Sequence, residues 1–255
     1  MNGTNYGAGF ILAAAFAGAL LASPASAQSG GTDAASIVRR MEANQVFETS
    51  RFEAKLSVTN SFGTTENDFT TWQRRGGDTL IEITSGPDRG QKVLRQGRNI
   101  YLFYPDADEV IWLKGSALKN SMMGSDFSYE DLTDDRTILD RYSATLEGEQ
   151  DFAGRPCWRL TLTAKTRSET YTKQELWVDK ETDVALHGIY YSASGKALRD
   201  MVASDVRTVG GKRVPFKTVM KDLLKRNSAT EMAIARAEID IPIPERYFNR
   251  EQLSW

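Results

Sequence analysis

Residues 100–114, IYLFYPDADEVIWLK, have the pattern of a β-hairpin. Two short runs of aromatic and aliphatic residues flank the polar turn PDADE. Successive side chains of a strand point to opposite faces of its sheet, so Tyr101 and Phe103 lie on one face and Leu102 lies on the other. A sheet with one solvated face would alternate apolar and polar residues. We therefore expect apolar side chains to cover both faces of the sheet at this hairpin.

Similar runs extend through the chain on both sides of this hairpin. Examples are RFEAKLSVTN at 51–60, TLIEIT at 79–84 and ELWVD at 175–179, and turn signals such as RGGD and VGGKR separate the runs. We count about eleven or twelve strands in hairpin order, without a βαβ rhythm. Such a long meander must curl or close to protect its edges. The predicted fold is mainly β with a few helices: a strongly curved antiparallel sheet, or half-open barrel, of about eleven strands with helices over its apolar concave face.

Helical patterns occur at three places in the chain. Apolar residues recur at helical spacing after Asp33, which is a suitable N-cap for a leading helix. Residues 116–142 interrupt the strand pattern and indicate short helices and loops. Near the end of the chain, Pro244 can occupy the first turn of a last short helix.

The first 27 residues have the organisation of a secretory signal peptide. An apolar run at 10–22 precedes SPASA, in which Ala25 and Ala27 satisfy the small-residue rule of signal peptidase. We predict cleavage after Ala27, although the segment before the apolar run contains no Lys or Arg; an uncleaved anchor is the alternative. The predicted organisation is a signal peptide at 1–27, a flexible leader at 28–32 and a single domain at 33–255.

Composition limits the class of protein further. The formal net charge is −2, with 32 basic and 34 acidic residues, which argues against a nucleic-acid partner. Export implies an oxidising compartment, but the only cysteine, Cys157, cannot form a disulfide within its own chain. These features favour a bacterial periplasmic protein that is stabilised by packing.

Residues suited to catalysis or metal binding are few. His187 is the only histidine, and both His187 and Cys157 fall within strand patterns without a recognisable catalytic partner. Acidic residues cluster at 126–135, but their spacing does not match a regular calcium loop, and no second carboxylate segment is evident for a glycosidase. We predict no catalytic residue, no metal site and no cofactor.

The stretch NSMMGSDFSYEDL at 120–132 contains the acidic cluster's first members and can be interpreted structurally. Ser128 and Asp131 are spaced as in a capping box, and Gly124 would form a joint between two short helices. The two methionines at 122–123 would be adaptable apolar contacts.

The nonapeptide GSDFSYEDL at 124–132 resembles the signature of the bacterial outer-membrane lipoprotein-sorting protein family, a LolA-like group. Weaker similarities follow the family's order: YLFYPDADEVIWLKGSA, ELWVDKETDVALHGIYYSASGK, GGKRVPFKTVMKD and the closing IPIPERYFNREQL. The resemblance implies a curved sheet whose helices cover an apolar cavity. It also implies a monomeric carrier that receives acylated cargo from an inner-membrane transporter and delivers it to an outer-membrane acceptor. The signature residues are Gly124, Ser125, Asp126, Phe127, Ser128, Tyr129, Glu130, Asp131 and Leu132.

We therefore expect a periplasmic, non-catalytic carrier of lipid or lipidated protein, in which the signature region closes over the cavity as a lid. Asp126, Glu130 and Asp131 would keep the outer side of that lid solvated or anchor it to the rim. The alternatives are a sensor or regulatory binding protein on the same fold and, less favoured, a hydrolase that uses the acidic cluster. From strand parity and aromatic content we nominate eight cavity-lining residues: Trp72, Tyr101, Phe103, Trp112, Met122, Met123, Phe127 and Tyr129.

Overall fold

Thirteen strands form one antiparallel sheet in the computed structural model, which describes residues 33–129 and 137–254. The α-helices are α1 (Ala34–Ala43) and α2 (Ile138–Arg141), and the described 3₁₀ helices are Gly115–Lys119, Met122–Gly124, Glu245–Phe248 and Arg250–Gln252. The strands are β1 (Thr49–Asn60), β2 (Gly63–Arg74), β3 (Thr79–Ile83), β4 (Lys92–Gln96), β5 (Asn99–Tyr104), β6 (Glu109–Leu113), β7 (Tyr142–Glu149), β8 (Cys157–Ala164), β9 (Lys173–Asp179), β10 (Ala185–Tyr191), β11 (Ala197–Val209), β12 (Lys212–Asp222) and β13 (Ala229–Ile239).

The sheet is open, with β6 and β7 at its two edges. Strand β1 pairs with β13, while every other pairing joins strands that are consecutive in the sequence. The mainly β antiparallel fold is as predicted, but the expected count of about eleven strands is too low. Each five-residue run, such as β3 and β4, pairs as a strand of its own.

Strong curvature follows from the position of the core. Ile100 on β5 and Leu160 on β8 belong to the same buried cluster, although these strands lie near opposite edges of the sheet. At about 4.8 Å per strand, a flat sheet of this size would be about 58 Å wide. Helix α1, with ten residues, is only about 15 Å long, so the face that it covers must be concave for residues across the whole sheet to be buried.

Helix α1 packs against this concave face as the sequence predicts. Asp33 caps it, since its carboxylate accepts a hydrogen bond from the Ser36 amide at 2.7 Å. Ile37 and Val38 point into the concave core and are fully buried. At the other end of α1, the Asn44 side-chain amide donates to the Thr182 carbonyl in the β9–β10 turn at 2.9 Å.

The opposite, convex face is apolar at β5, which confirms the expectation of two covered faces for that strand. Tyr101 and Phe103 form a second buried cluster with Leu253 near the C-terminus. The expectation fails for β6, where Ile111 and Trp112 are exposed because β6 is an edge strand.

The C-terminal segment, residues 245–253, covers this convex cluster. The rings of Trp72 and Tyr247 stack with their centroids 4.7 Å apart. The Lys92 ammonium donates to the Leu253 carbonyl at 3.0 Å, and burial lowers the pKa of Lys92. Phe248 and Leu253, the aromatic and leucine positions of the closing motif, are both buried. The motif is thus explained by packing on the convex face. Within the described ranges 33–129 and 137–254, no helix has the length and apolar character needed to cross a membrane.

Candidate ligand-binding face

Residues 115–129, here called the covering segment, connect β6 to the undescribed residues before α2 and pack on the concave core. The described part consists of two short 3₁₀ helices and a turn, in agreement with the short helices and loops that the sequence indicates. Asp131, the second member of the expected capping box, lies outside the described residues. A capping box is present instead at Thr137 and Asp140, where it begins α2.

A tight turn forms the middle of the covering segment. The Met122 amide donates to the Phe127 carbonyl at 2.8 Å, and the Tyr129 amide donates to the Asn120 carbonyl at 3.2 Å. Met123 and Gly124 have φ values of 50° and 68°, in the left-handed region. That conformation costs a non-glycine residue such as Met123 about 1 kcal/mol. Gly124 therefore ends a 3₁₀ helix inside a strained turn and does not join two α-helices.

The inner side of the covering segment is apolar. Met122, Phe127 and Tyr129 are buried in the concave core, and Met123 is half-buried against it. Burial is the main cause that raises the pKa of the Tyr129 phenol to about 12. These side chains occupy the apolar face that a ligand would have to contact.

Asp126 attaches the covering segment to the turn between β12 and β13. Its side chain is 0% exposed, and its carboxylate accepts hydrogen bonds from Lys225 Nζ at 3.3 Å and Thr230 Oγ1 at 3.1 Å. The Ser228 hydroxyl also donates to this carboxylate, and the Asp126 amide donates to Thr230 Oγ1 at 2.8 Å. Asp126 thus has the geometry of an anchor and does not face solvent. Glu130, Asp131 and Leu132 lie outside the described residues.

A second contact holds the same point of the covering segment. Arg199 on β11 donates from Nε to the Asp126 carbonyl at 3.2 Å, and its Nη1 lies 2.8 Å from Asp222 Oδ1. Sequence reasoning did not identify Arg199, Lys225 or Thr230, since each lies more than seventy positions from Asp126. Only the pairing of β11, β12 and β13 brings them together.

The eight nominated residues do not share one face. Met122, Met123, Phe127 and Tyr129 lie on the concave side. Three others belong to the convex cluster beneath the C-terminal segment: Trp72, Tyr101 and Phe103. Trp112 lies on the edge strand and is 45% exposed, with the Lys114 ammonium 3.2 Å from its ring centroid.

Aliphatic residues of the strands provide most of the concave face, and none of them is among the eight nominated residues. Strand parity separates side chains into two sets, but it does not tell which set faces the concave core. The nominated set is rich in aromatic residues, whereas the concave positions of β5 carry Ile100 and Leu102. Other strand residues of this face include Leu56, Ile81, Ile83, Val93, Leu160, Leu162 and Leu176.

His187 and Cys157 lie in or beside a third, smaller cluster, separate from the concave core. The His187 ring stacks on Phe152 and contacts Trp177, with centroids 4.7 and 4.6 Å away, and its Nε2 lies 3.0 Å from Asp200 Oδ1. Burial raises the pKa of the Cys157 thiol, which disfavours a reactive thiolate. Both residues are therefore packed on strands.

The described part of the acidic cluster shows little that is arranged for catalysis or metal binding. Asp126 is engaged by hydroxyl and ammonium donors, and the four other members of the cluster fall in the undescribed residues 130–136. Among the side chains that the structure describes, no group of three or more His, Cys, Asp or Glu is arranged to hold a metal ion.

Comparison with known proteins places this geometry in a family. A family model described as an uncharacterized protein matches residues 76–255, well over half of the chain. A search of curated proteins found no match. A DUF1329 family protein from Desulfovibrio piger is 24% identical with a TM-score of 0.77, and the match covers 85% of this chain and 96% of the other.

Two further solved structures share this fold. A domain from Vibrio parahaemolyticus, described as an outer membrane lipoprotein-sorting protein domain, has a TM-score of 0.76 at 19% identity, with 86% and 97% of the two chains covered. A LolA superfamily protein from Nitrosomonas europaea has a TM-score of 0.69 at 19% identity, with 87% and 99% covered. The chain therefore belongs to the family described as an uncharacterized protein, and its fold is that of the LolA-like, outer-membrane lipoprotein-sorting proteins.

Proposed function

We propose that this protein is a non-catalytic carrier that binds acyl chains of lipids or lipidated proteins on its concave face. The observation that carries the proposal is the covering segment, which has an apolar inner side and a buried charged anchor at Asp126. The lipoprotein-sorting fold of the structural relatives supports the same interpretation.

The energetics of the covering segment suit reversible binding. About fourteen buried methylene groups of one acyl chain would contribute about 11 kcal/mol, at about 0.8 kcal/mol each. Binding would displace Met122, Phe127 and Tyr129 from the core. Their loss of burial costs about 2 kcal/mol each, or about 6 kcal/mol together. The net of about 5 kcal/mol corresponds to a dissociation constant between about 1 μM and 1 mM, which permits release.

Asp126 would determine how far the covering segment moves. Its carboxylate is held by strands β12 and β13, so the turn at Met123 and Gly124 can leave the core while Asp126 stays in place. The left-handed strain at Met123 lowers the cost of that rearrangement. The segment would therefore open about its anchor without detaching.

The absence of catalysis is part of the proposal. His187 packs among the aromatic rings of the third cluster, and Cys157 is buried with a raised thiol pKa. Neither residue belongs to the concave core, where the acyl chain would lie.

We further propose a periplasmic location, with a signal peptide at 1–27 removed after Ala27 and residues 33–255 acting as one monomeric domain. An inner-membrane transporter would supply the cargo, and an outer-membrane acceptor would receive it. Intact-mass measurement of the exported protein tests the first step. A protein that retains the apolar run at 10–22 would be membrane-anchored and would contradict the soluble carrier.

Native mass spectrometry tests the carrier function itself. The protein should be recovered from the envelope of its own cells without detergent, so that bound lipid is retained. We expect an added mass that dissociates as a lipid or an acylated peptide. A protein that carries no such mass, and that does not bind a fluorescent fatty acid, would refute the proposal.

A further inference from the structure

Large apolar side chains are exposed at one end of the sheet. Phe62, in the turn between β1 and β2, is 97% exposed. Leu223 and Leu224, in the turn between β12 and β13, are 44% and 52% exposed. Such side chains contact water at a cost in free energy that a binding partner would remove.

The strand register brings these two turns together. Strand β1 pairs with β2 up to Asn60 and Gly63, and Thr59 of β1 is opposite Ala229 of β13. Strand β12 lies directly beyond β13. Two strand spacings of about 4.8 Å therefore separate the turns, or about 10 Å. We call residues 60–63 and 221–226 together the apolar tip.

Basic side chains surround the apolar tip. Lys221 and Arg226 belong to it, and Lys196 lies in the adjacent turn between β10 and β11; all three are exposed. None of these three forms an ion pair with another residue in the described ranges. Lys225 also belongs to the tip, but its ammonium is paired with Asp126 and Asp222.

Three acidic groups lie near the tip, fewer than the five basic ones. Asp222 is bound by Arg199 and Asp126 by Lys225, while Asp200 lies opposite Lys221 and 3.0 Å from His187 Nε2. Residues 59–65, which carry Phe62, include no charged side chain. The tip therefore combines protruding apolar groups with an excess of basic over acidic side chains.

We propose that the apolar tip docks the protein on the surface of a bilayer that contains anionic phospholipids. A phenyl ring that projects from a hairpin turn, with almost all of its surface free, fits a deformable acyl–headgroup boundary, into which it can insert. Lys196, Lys221 and Arg226 would then lie at the level of the lipid phosphates, whose charge they complement. This inference does not depend on the carrier function, since Phe62, Lys221 and Arg226, the residues changed in its test, lie outside the concave core and the contacts of Asp126.

Vesicle flotation tests the docking surface. The protein recovered from the envelope should be mixed with phosphatidylcholine vesicles that either contain or lack phosphatidylglycerol. We expect binding to the anionic vesicles, and weaker binding as salt is raised. Phe62→Ser should weaken binding about tenfold through lost apolar contact. The double change Lys221→Gln with Arg226→Gln should weaken it about 25-fold, at about fivefold per charge.

Trp112→Ser is the matched control, because Trp112 is exposed to a similar degree as the two leucines but lies on the edge strand β6. It should bind vesicles as the wild type does. All variants keep the same N-terminus, so the differences between them report on the tip.

Failure of the wild type to bind anionic vesicles would overturn the proposal. An unchanged Phe62→Ser variant, or an equal loss in Trp112→Ser, would also overturn it. Fatty-acid binding by Phe62→Ser should be measured in parallel. If it is normal, the vesicle result concerns docking alone and does not report on the carrier function.

Discussion

Asp126 Oδ1 lies 3.3 Å from Lys225 Nζ, although the two residues are 99 positions apart in the chain. The carboxylate is completely buried, while the lysine remains nearly half-exposed. The fold around Asp126 holds this ion pair in place. The pair contributes to the free energy of unfolding mainly because a buried carboxylate without hydrogen-bond donors would be costly. It ties the covering segment to the β12–β13 turn at the mouth of the concave face.

Asp126→Asn should loosen the covering segment. The amide keeps the size of the side chain but removes its charge, and we expect the free energy of unfolding to fall by about 1 to 3 kcal/mol. Exchange of a bound fluorescent fatty acid should become several-fold faster, because a weakened anchor lets the covering segment move farther from the core. Stopped-flow displacement measures the rate, and circular dichroism checks the fold.

Asp179→Asn is the control for Asp126→Asn, because Asp179 is equally buried but lies at the far end of the sheet. It should lower stability without changing the exchange rate. Equal exchange rates in the wild type and Asp126→Asn would show that Asp126 does not control opening.

Asp179 should make stability depend on pH in the acid range. Burial alone would raise the pKa of its carboxyl, but hydrogen bonds from Arg155 and Thr182 outweigh burial and lower that pKa from 3.8 to about 2. A lowered pKa contributes stability above pH 3.8, and this contribution is lost as the pH falls towards 2. The shift corresponds to about 2 kcal/mol.

Urea unfolding at neutral pH and at several acid pH values checks this expectation. Asp179→Asn should be less stable than the wild type by about 2 kcal/mol at neutral pH. The difference should shrink as the pH falls from about 4 to about 2. A difference that stays constant over this range would show that the carboxyl is not titrating as described.

His187→Ala and Cys157→Ala should affect stability and leave ligand binding intact. Each removes packing from a small cluster outside the concave core, at a cost of about 1 to 2 kcal/mol. Urea unfolding and fatty-acid displacement measure the two effects separately. A variant that folds normally but loses function in its own cells would revive the hydrolase interpretation.

The two groups of nominated aromatic residues should behave differently. Phe103→Ala removes a buried ring from the convex cluster, and Phe127→Ala removes one from the covering segment. We expect each to lower stability by about 3 kcal/mol, but only Phe127→Ala should change affinity for a fatty acid. Displacement titrations compare the two variants. A change in affinity in Phe103→Ala alone would place the ligand on the convex face.

Local patterns were sufficient to predict much of the fold. Asp33 and the apolar spacing after it identified α1, and turn signals separated the runs that became strands. The pairing of β1 with β13 was beyond such patterns, because residues such as Ser50 and Ile239 meet only through the path of the whole chain. Sequence alone also could not tell whether Ile100 or Tyr101 faces the concave core, since both residues are apolar and both faces are covered. The partners of Asp126 are similarly hidden, because serine, threonine and lysine in a turn carry no distinctive spacing.

Photo-crosslinking with a diazirine-labelled fatty acid tests the central claim most directly, since it marks the residues that an acyl chain contacts. The crosslinked peptides should come from the covering segment at 115–129 and from the concave positions of the central strands, such as Leu56 and Ile81. Excess unlabelled fatty acid should abolish the labelling. Labelling confined to the convex cluster around Tyr101, or the absence of any labelling that a competitor can displace, would contradict the account.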